Sequence, residues 1–468
     1  MASKPVERRY AELDDTISKQ FESLGIPGMS VAVVDGSETV YAAGFGDRQL
    51  DPRNPATAET MYGIGSSVKP ITATAVMQLV DSGSLTLDDA VSSHVPYFED
   101  VPGESITIGE LLSHTSGMPS DDMATILLLE SLLDNSGCPP LDDWDDFRAH
   151  VNGSVDRRRL GDAQCLYYNS GYAVLSQVIE AVTDRSFTEY VEETLFESLG
   201  MHESTFNAGV LDDNSRNIMN PYFETEDGMQ PATFPDTPLL NGPGGLLTSV
   251  TDMASFLSTW VTGEVPIKSS LCESMVSPVG TFREFVDGTT IGYGHGWMTR
   301  PFGEDVLVGH GGGTGVSAGY LGFLENRGLG IAIGCNAQPE TNPERLAIEL
   351  LAVLTSTDPL TVLPKRAIER KANRVTGTYK SYRGIQEATV TWTGETLEVE
   401  DESPMGGGKI TLVPASVDPE EYVFQQTTGS GKTNTVEFIV EDDSVEFLLR
   451  RNLFKRVGNV NKNDNVRR

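Results

Sequence analysis

Four cysteines in 468 residues, Cys138, Cys165, Cys272 and Cys335, are widely spaced and form no C-x-x-C pair. A chain of this length needs no disulfide framework, and no spacing here matches a zinc site, so free thiols are expected. Long apolar runs are also missing. The longest, such as "MSVAVV" and "LGIAIGC", are far too short to cross a bilayer. The N-terminal "MASKPVERRYAELDD" has no apolar stretch of the kind a secretory signal carries, which predicts a soluble, cytoplasmic protein. Basic charge is scarce: 34 lysines and arginines stand against 68 acidic residues, a net charge of −34. Such a surface repels nucleic acid and anionic membranes, so neither is expected as a partner. The acid is spread through "ELDD", "LDDWDD", "EVEDES" and "VEDD" rather than gathered in one tail, and arginine outnumbers lysine. Two readings follow: adaptation to high salt, where screening relieves self-repulsion, or an ordinary acidic shell.

What is present is a core-building chain with 38% hydrophobic residues. In "GMSVAVVDGSETVYAAGFGD" two β-rich runs flank Asp35-Gly36, a hairpin signal. "ITIGELLSHTSGMP" reads as a helix begun by Thr107 and ended by Gly117 and Pro119. Residues 121–162 are acidic and irregular and are expected to be an insertion over one face. In "YNSGYAVLSQVIEAVTDRS", Val174, Leu175, Val178, Ile179 and Val182 share one helical stripe. Ser249 and Asp252 make a capping pattern before another helix. "DVLVGHGGGTGVSAGYLGFLENRGLGIAIGCNA" reads as three strands with glycine-rich turns. Strands, then helices, then strands predict an α+β domain whose antiparallel sheet is assembled from both ends and covered by helices. Composition changes over 359–374; beyond it, alternating runs such as Val390 with Trp392 and Leu397 with Val399 predict a small all-β barrel. The expected boundaries are 1–360, a linker 361–374, a barrel 375–458 and a disordered polar tail 459–468.

Chemistry concentrates in "YGIGSSVKPITATAVMQLVDSG". A serine hydroxyl needs an adjacent base to act as a nucleophile. Lys69 lies three residues after Ser66, on the same helical face, whereas Ser67 is two residues away and faces elsewhere. A helix N-terminus favours both a neutral lysine and a developing oxyanion, and Pro70 is tolerated there. Alone, S-x-x-K occurs roughly once or twice by chance in a chain this long. Two further elements join it: Tyr167-x-Asn169 just before a helix, and His310-Gly311-Gly312 at the end of an apolar strand. A tyrosine near a lysine can relay protons, an asparagine amide can hold a carbonyl, and a glycine-lined edge admits a substrate backbone. No metal-ligand cluster or phosphate loop is visible, so no cofactor is expected. His114 reads as structural and Cys335 as a small hydrophobe. His295 suits a cleft position or a core or turn role.

The ordered set Ser66-x-x-Lys69, Tyr167-x-Asn169 and His310-x-Gly312 resembles the serine β-lactamase and penicillin-binding-protein superfamily. It is most similar to the class C-like branch with its esterases and D-amino-acid peptidases. The likeness runs over about residues 10–355, through "PGMSVAVVDG", "YYNSGYAVLSQVIE", "LGMHESTF" and "GPGGLLTSVTDMASF". It implies a β-lactamase/transpeptidase-like fold with an all-helical region, followed by a lipocalin-like barrel as in some D-aminopeptidases. Ser66 would then be acylated, with Lys69 as proton acceptor and Tyr167 as partner in acylation and deacylation. Asn169 would position the substrate amide, and the N–H groups of Ser66 and Gly313 would form the oxyanion hole. His310 stands where most β-lactamases carry the lysine of K-T-G, a departure shared by esterase and peptidase relatives. The implied activity is hydrolysis of a small amide or ester: a D-amino-acid peptide, a β-lactam or a short-chain ester. The alternative is a sensor that acylates and stalls. By the same resemblance the barrel restricts the cleft or mediates assembly, which leaves a homo-oligomer open.

Overall fold

The computed structural model describes residues 6–132, 137–154, 165–213, 215–286, 288–401, 408–442, 444–449 and 451–458. The tail expected over 459–468, and residues 133–136 and 155–162 of the acidic insertion, lie outside the described residues. The described residues divide into two compact units, one within 1–283 and 290–356, the other within 357–468 with 284–289.

The first unit is built on a nine-stranded sheet. Along the chain its strands are β1 (Gly28–Asp35), β2 (Glu38–Leu50), β3 (Arg53–Pro55), β4 (Gly280–Glu284), β5 (Thr290–Tyr293), β6 (Met298–Phe302), β7 (Asp305–Gly313), β8 (Ala318–Leu324) and β9 (Leu329–Cys335). Their order across the sheet is β3-β2-β1-β9-β8-β7-β6-β5-β4. The two ends of the unit therefore meet at β1 and β9, which pair antiparallel from Met29↔Cys335 to Asp35↔Leu329. The hairpin turns at Gly36, whose φ of +60° suits a residue without Cβ. Gly28 through Val34 are all buried, which explains a continuous apolar run where a half-exposed strand would alternate. Helices Val250–Thr262 and Pro343–Thr355 pack on the sheet, the latter also against Val6–Leu24.

The all-helical region centres on the helix Lys69–Asp81, whose residues from Lys69 through Met77 are buried. A helix covered all round belongs in a core, and it packs against Asn169–Thr183. In that second helix Val174, Leu175, Val178 and Ile179 are inaccessible, as their spacing predicts. Two expectations change. The helix after Thr107 is only Ile108–Leu112; Thr107 and Glu110 form its capping box, and His114, at φ +57°, turns the chain away. The insertion is not irregular: it contains helices Met123–Leu132 and Trp144–Ser154. Buried Ile126 and Leu127 anchor one, and Phe147 and Val151 the other. Asp145 and Asp146 fall in the first turn of the second, where negative charge stabilises the helix.

The second unit is a closed eight-stranded barrel running in chain order from Gly377–Lys380 to Asn452–Gly458. Val390, Leu397 and Val399 point inward with Tyr379, Phe424, Phe438, Phe447 and Phe454, and Trp392 is half-buried against them. Residues 361–374, expected as a linker, fall within the span of the helices Pro359–Val362 and Pro364–Val375. Ala372 and Val375 join the barrel core, and the buried Lys371 ammonium donates to the carbonyls of Ser416, Asp418 and Glu421.

Candidate active site

Ser66 sits in a single 3₁₀ turn, Gly65–Val68, and Lys69 opens the α-helix that follows. Three-residue spacing in a 3₁₀ turn eclipses the two side chains, which aligns them better than an α-helix would. Pro70 occupies the first turn, where its missing N–H costs nothing. Ser67 points elsewhere: it is inaccessible and its Oγ donates to the His310 carbonyl at 3.1 Å.

Lys69 is fully buried, and its Nζ stands 2.9 Å from Ser66 Oγ, 2.9 Å from Asn169 Oδ1 and 2.8 Å from the Pro243 carbonyl. The Tyr167 and Tyr172 rings lie 4.9 and 5.3 Å away. Among the described residues no carboxylate pairs with this lysine, and burial drives its pKa well below 10.5. Three acceptors would suit an ammonium, yet burial of an unpaired charge is the larger effect. The neutral amine fits the same geometry: two N–H groups go to Asn169 and Pro243, which can only accept, and the lone pair faces the Ser66 hydroxyl.

Tyr167 is half-buried and faces Ser66; burial raises its phenol pKa, and the Ser66 contact only partly offsets this. It is therefore a neutral phenol, a proton donor, in the resting site. Asn169 begins the next helix, so the Y-x-N segment hands both side chains to the same place.

The strand β7 closes the other side. A Cβ on Gly312 would lie 2.1 Å from the Ile64 carbonyl oxygen and 2.4 Å from the Ser66 nitrogen, and one on Gly65 would lie 2.5 Å from the Gly313 nitrogen. Only glycines let the strand pass this close to the serine turn. His310 is 1% exposed, and both ring nitrogens are engaged within the protein. Nδ1 donates to the Gly311 carbonyl at 2.7 Å, and Nε2 accepts from Tyr293 Oη at 3.0 Å. Burial, with the nearby Lys69, lowers its pKa to about 3.

Ser66 lies between two cavities. One, about 360 Å³, is lined by Ala124, Thr125 and Leu128 of the insertion together with Leu240 and Pro243. The other, about 300 Å³, is lined by Tyr167, Phe282, Met298, His310 and Asn342. Gln338 borders both. All seven residues expected from the sequence (Ser66, Lys69, Tyr167, Asn169, His310, Gly312 and Gly313) converge on this region. Sequence reasoning missed Tyr293 and the Pro243 carbonyl. Tyr293 sits in "GYGHGW" beside the more conspicuous His295, which lines neither cavity and bonds the Ser274 carbonyl. A backbone carbonyl has no residue-type signal. Among the described residues no cluster of His, Cys, Asp or Glu is placed to hold a metal ion, and no helix is long and apolar enough to cross a membrane.

Residues 13–355 match the family model described as Beta-lactamase. The chain belongs to the Beta-lactamase family. Residues 359–455 match a second model, the Pab87 octamerisation domain. Within the Beta-lactamase family, Protein flp of Staphylococcus aureus strain MW2 is 26% identical over 337 residues, 71% of this chain and 64% of that protein. The chain thus spans less than two thirds of that relative. The solved octameric penicillin-binding protein homologue from Pyrococcus abyssi is 28% identical, with a TM-score of 0.80 over 97% of this chain and 100% of that one. A class C beta-lactamase shares the fold at 20% identity and a TM-score of 0.60 over 76% of this chain and 99% of that one.

Proposed function

We propose that this chain is an acyl-serine hydrolase acting on a small amide or ester through Ser66. The observation that carries the reading is the arrangement around Lys69, a buried amine whose only uncommitted position faces the Ser66 hydroxyl at 2.9 Å. In the resting site Lys69 is the base. It takes the Ser66 proton as Oγ attacks the substrate carbonyl, and the resulting ammonium finds three acceptors in place. The oxyanion accepts hydrogen bonds from the N–H groups of Ser66 and Gly313, an arrangement typically worth about 3 kcal/mol per donor in rate. Tyr167, a phenol at rest, protonates the leaving group. The same pair then deprotonates the water that releases the acyl group. Asn169 positions the substrate amide as well as Lys69. His310 acts as a neutral wall of the cleft, since neither ring nitrogen is free for substrate.

The substrate classes proposed are D-aminoacyl peptides, β-lactams and short-chain esters. Nitrocefin, short-chain nitrophenyl esters and D-aminoacyl nitroanilides, assayed together with mass spectrometry, test the proposal. Turnover with a transient adduct on Ser66 is expected. No adduct on any of them would overturn the reading, and a persistent adduct would favour the acylated sensor.

The barrel is proposed to assemble copies of this chain. The match to an octamerisation domain and the octameric Pyrococcus homologue support this, as do exposed Val413, Ile439, Leu448, Leu453 and Val457 on the barrel. Light scattering on the purified chain should give a homo-oligomer; a monomer at micromolar concentration refutes it.

A further inference from the structure

We propose that His114 is a positioning residue for Tyr167, gripping residues 166, 167 and 168 from one side and fixing the phenol against Ser66. The inference rests on the acyl-serine reading and adds a residue to it. Three contacts define the grip. The His114 carbonyl accepts from the Leu166 N–H at 2.9 Å, and its ring Nδ1 accepts from the Tyr168 N–H at 3.1 Å. Its ring lies against that of Tyr167, with centroids 4.3 Å apart. One residue therefore holds the backbone on both sides of Tyr167 and the Tyr167 ring itself.

The fold bears two costs to keep a histidine here. His114 has φ +57°, a left-handed conformation that glycine or asparagine adopts more readily at the end of a helix. Because Nδ1 accepts, the ring proton sits on Nε2, and that buried atom finds no hydrogen-bond partner among the described residues. It lies instead within a group of aromatic rings, with Tyr293 edge-on at 4.7 Å and Tyr172 at 5.2 Å. A purely structural helix end would be served as well by glycine, with neither cost. Strain retained beside a reactive group points to a constraint the site needs. Burial, with Lys69 and His310 nearby, keeps the ring neutral, and only the neutral ring can accept at Nδ1.

Two substitutions separate the parts of the grip. His114→Asn tolerates the left-handed backbone and offers Oδ1 to the Tyr168 N–H, but removes the ring from Tyr167. His114→Ala removes both. With a nitrophenyl ester, His114→Ala is expected to lower kcat roughly ten- to a hundredfold with little change in KM, and His114→Asn to fall between it and wild type. The kcat–pH profile should shift in both, because Tyr167 no longer stands at a fixed distance from Ser66 and Lys69. Wild-type kcat and pH profile in a cooperatively melting His114→Asn protein would overturn the proposal. A crystal structure of His114→Asn gives a readout independent of turnover. A displaced Tyr167 hydroxyl supports positioning, and an unmoved one overturns it, even if the wild-type protein hydrolyses nothing and the acyl-serine reading itself fails.

Discussion

Tyr293 and His310 are joined through Oη and Nε2 at 3.0 Å, inside the wall of the cleft. The imidazole Nε2 is thereby spent on the protein rather than offered to the cleft, and the ring is held neutral down to about pH 3.

This gives a sign for acid stability. His310 titrates near 6.5 when unfolded and near 3 when folded, so between those values the unfolded chain binds the extra proton. Stability therefore falls as pH drops from 6.5 towards 3. Replacing His310 with glutamine should reduce the loss of Tm between pH 7 and pH 5; an unchanged slope would show that His310 does not contribute.

With Lys69 as the proposed base, its titration sets the expected kinetic pH dependence. Its pKa lies well below 10.5, and the neutral amine is the active form, so kcat should rise with pH along a limb centred well below 10.5. Lys69→Arg retains charge and reach but cannot deprotonate, and should lose activity by roughly a thousandfold or more, measured by single-turnover acylation. An active arginine variant would move the base elsewhere.

Ser66→Ala should abolish the acyl adduct and lower turnover by roughly a thousandfold or more, whereas Ser67→Ala should acylate normally. Intact-mass measurement after a slow ester substrate distinguishes the two. Labelling of Ser66→Ala would refute the assignment.

Gly312→Ala places a methyl group 2.1 Å from the Ile64 carbonyl oxygen. The strand must move from the serine turn, so acylation should fall roughly a hundredfold even where the protein melts cooperatively. Unchanged kcat/KM would mean that this close approach is not needed for the chemistry.

The net charge of −34 predicts a protein stabilised by salt, because screening relieves repulsion among its acids. Tm should climb between low salt and molar potassium chloride; equal melting in both would dismiss the idea.

Much of this site is legible in the letters because its parts are short and chemically distinctive. Ser66 and Lys69 are separated by a fixed local geometry, and Tyr167 with Asn169 announces a helix start. The sheet's logic was also readable, since β1 and β9 are apolar runs bounded by turn residues. The insertion was harder. The apolar run in "MATILLLESL" lacks the one-sided period of a surface helix and the acids of "LDDWDD" mask the start of 144–154, and only packing reveals that Leu128 reaches the cavity beside Ser66. The stretch 361–374 reads as a charged spacer until Ala372 and Val375 are seen against the barrel. His114 reads as structural in the sequence because nothing local tells of a partner some fifty residues away.

The β1–β9 pairing has a consequence for how the proposed site comes into being. During synthesis Ser66, Lys69 and Tyr167 are all made long before Gly312, and the strand that walls the serine can dock only when β9 has reached β1. Contacts that span some three hundred residues close slowly. The nucleophile therefore stays unassembled through most of translation, and a nascent chain halted before β7 carries every reactive side chain proposed here without a site in which to use them.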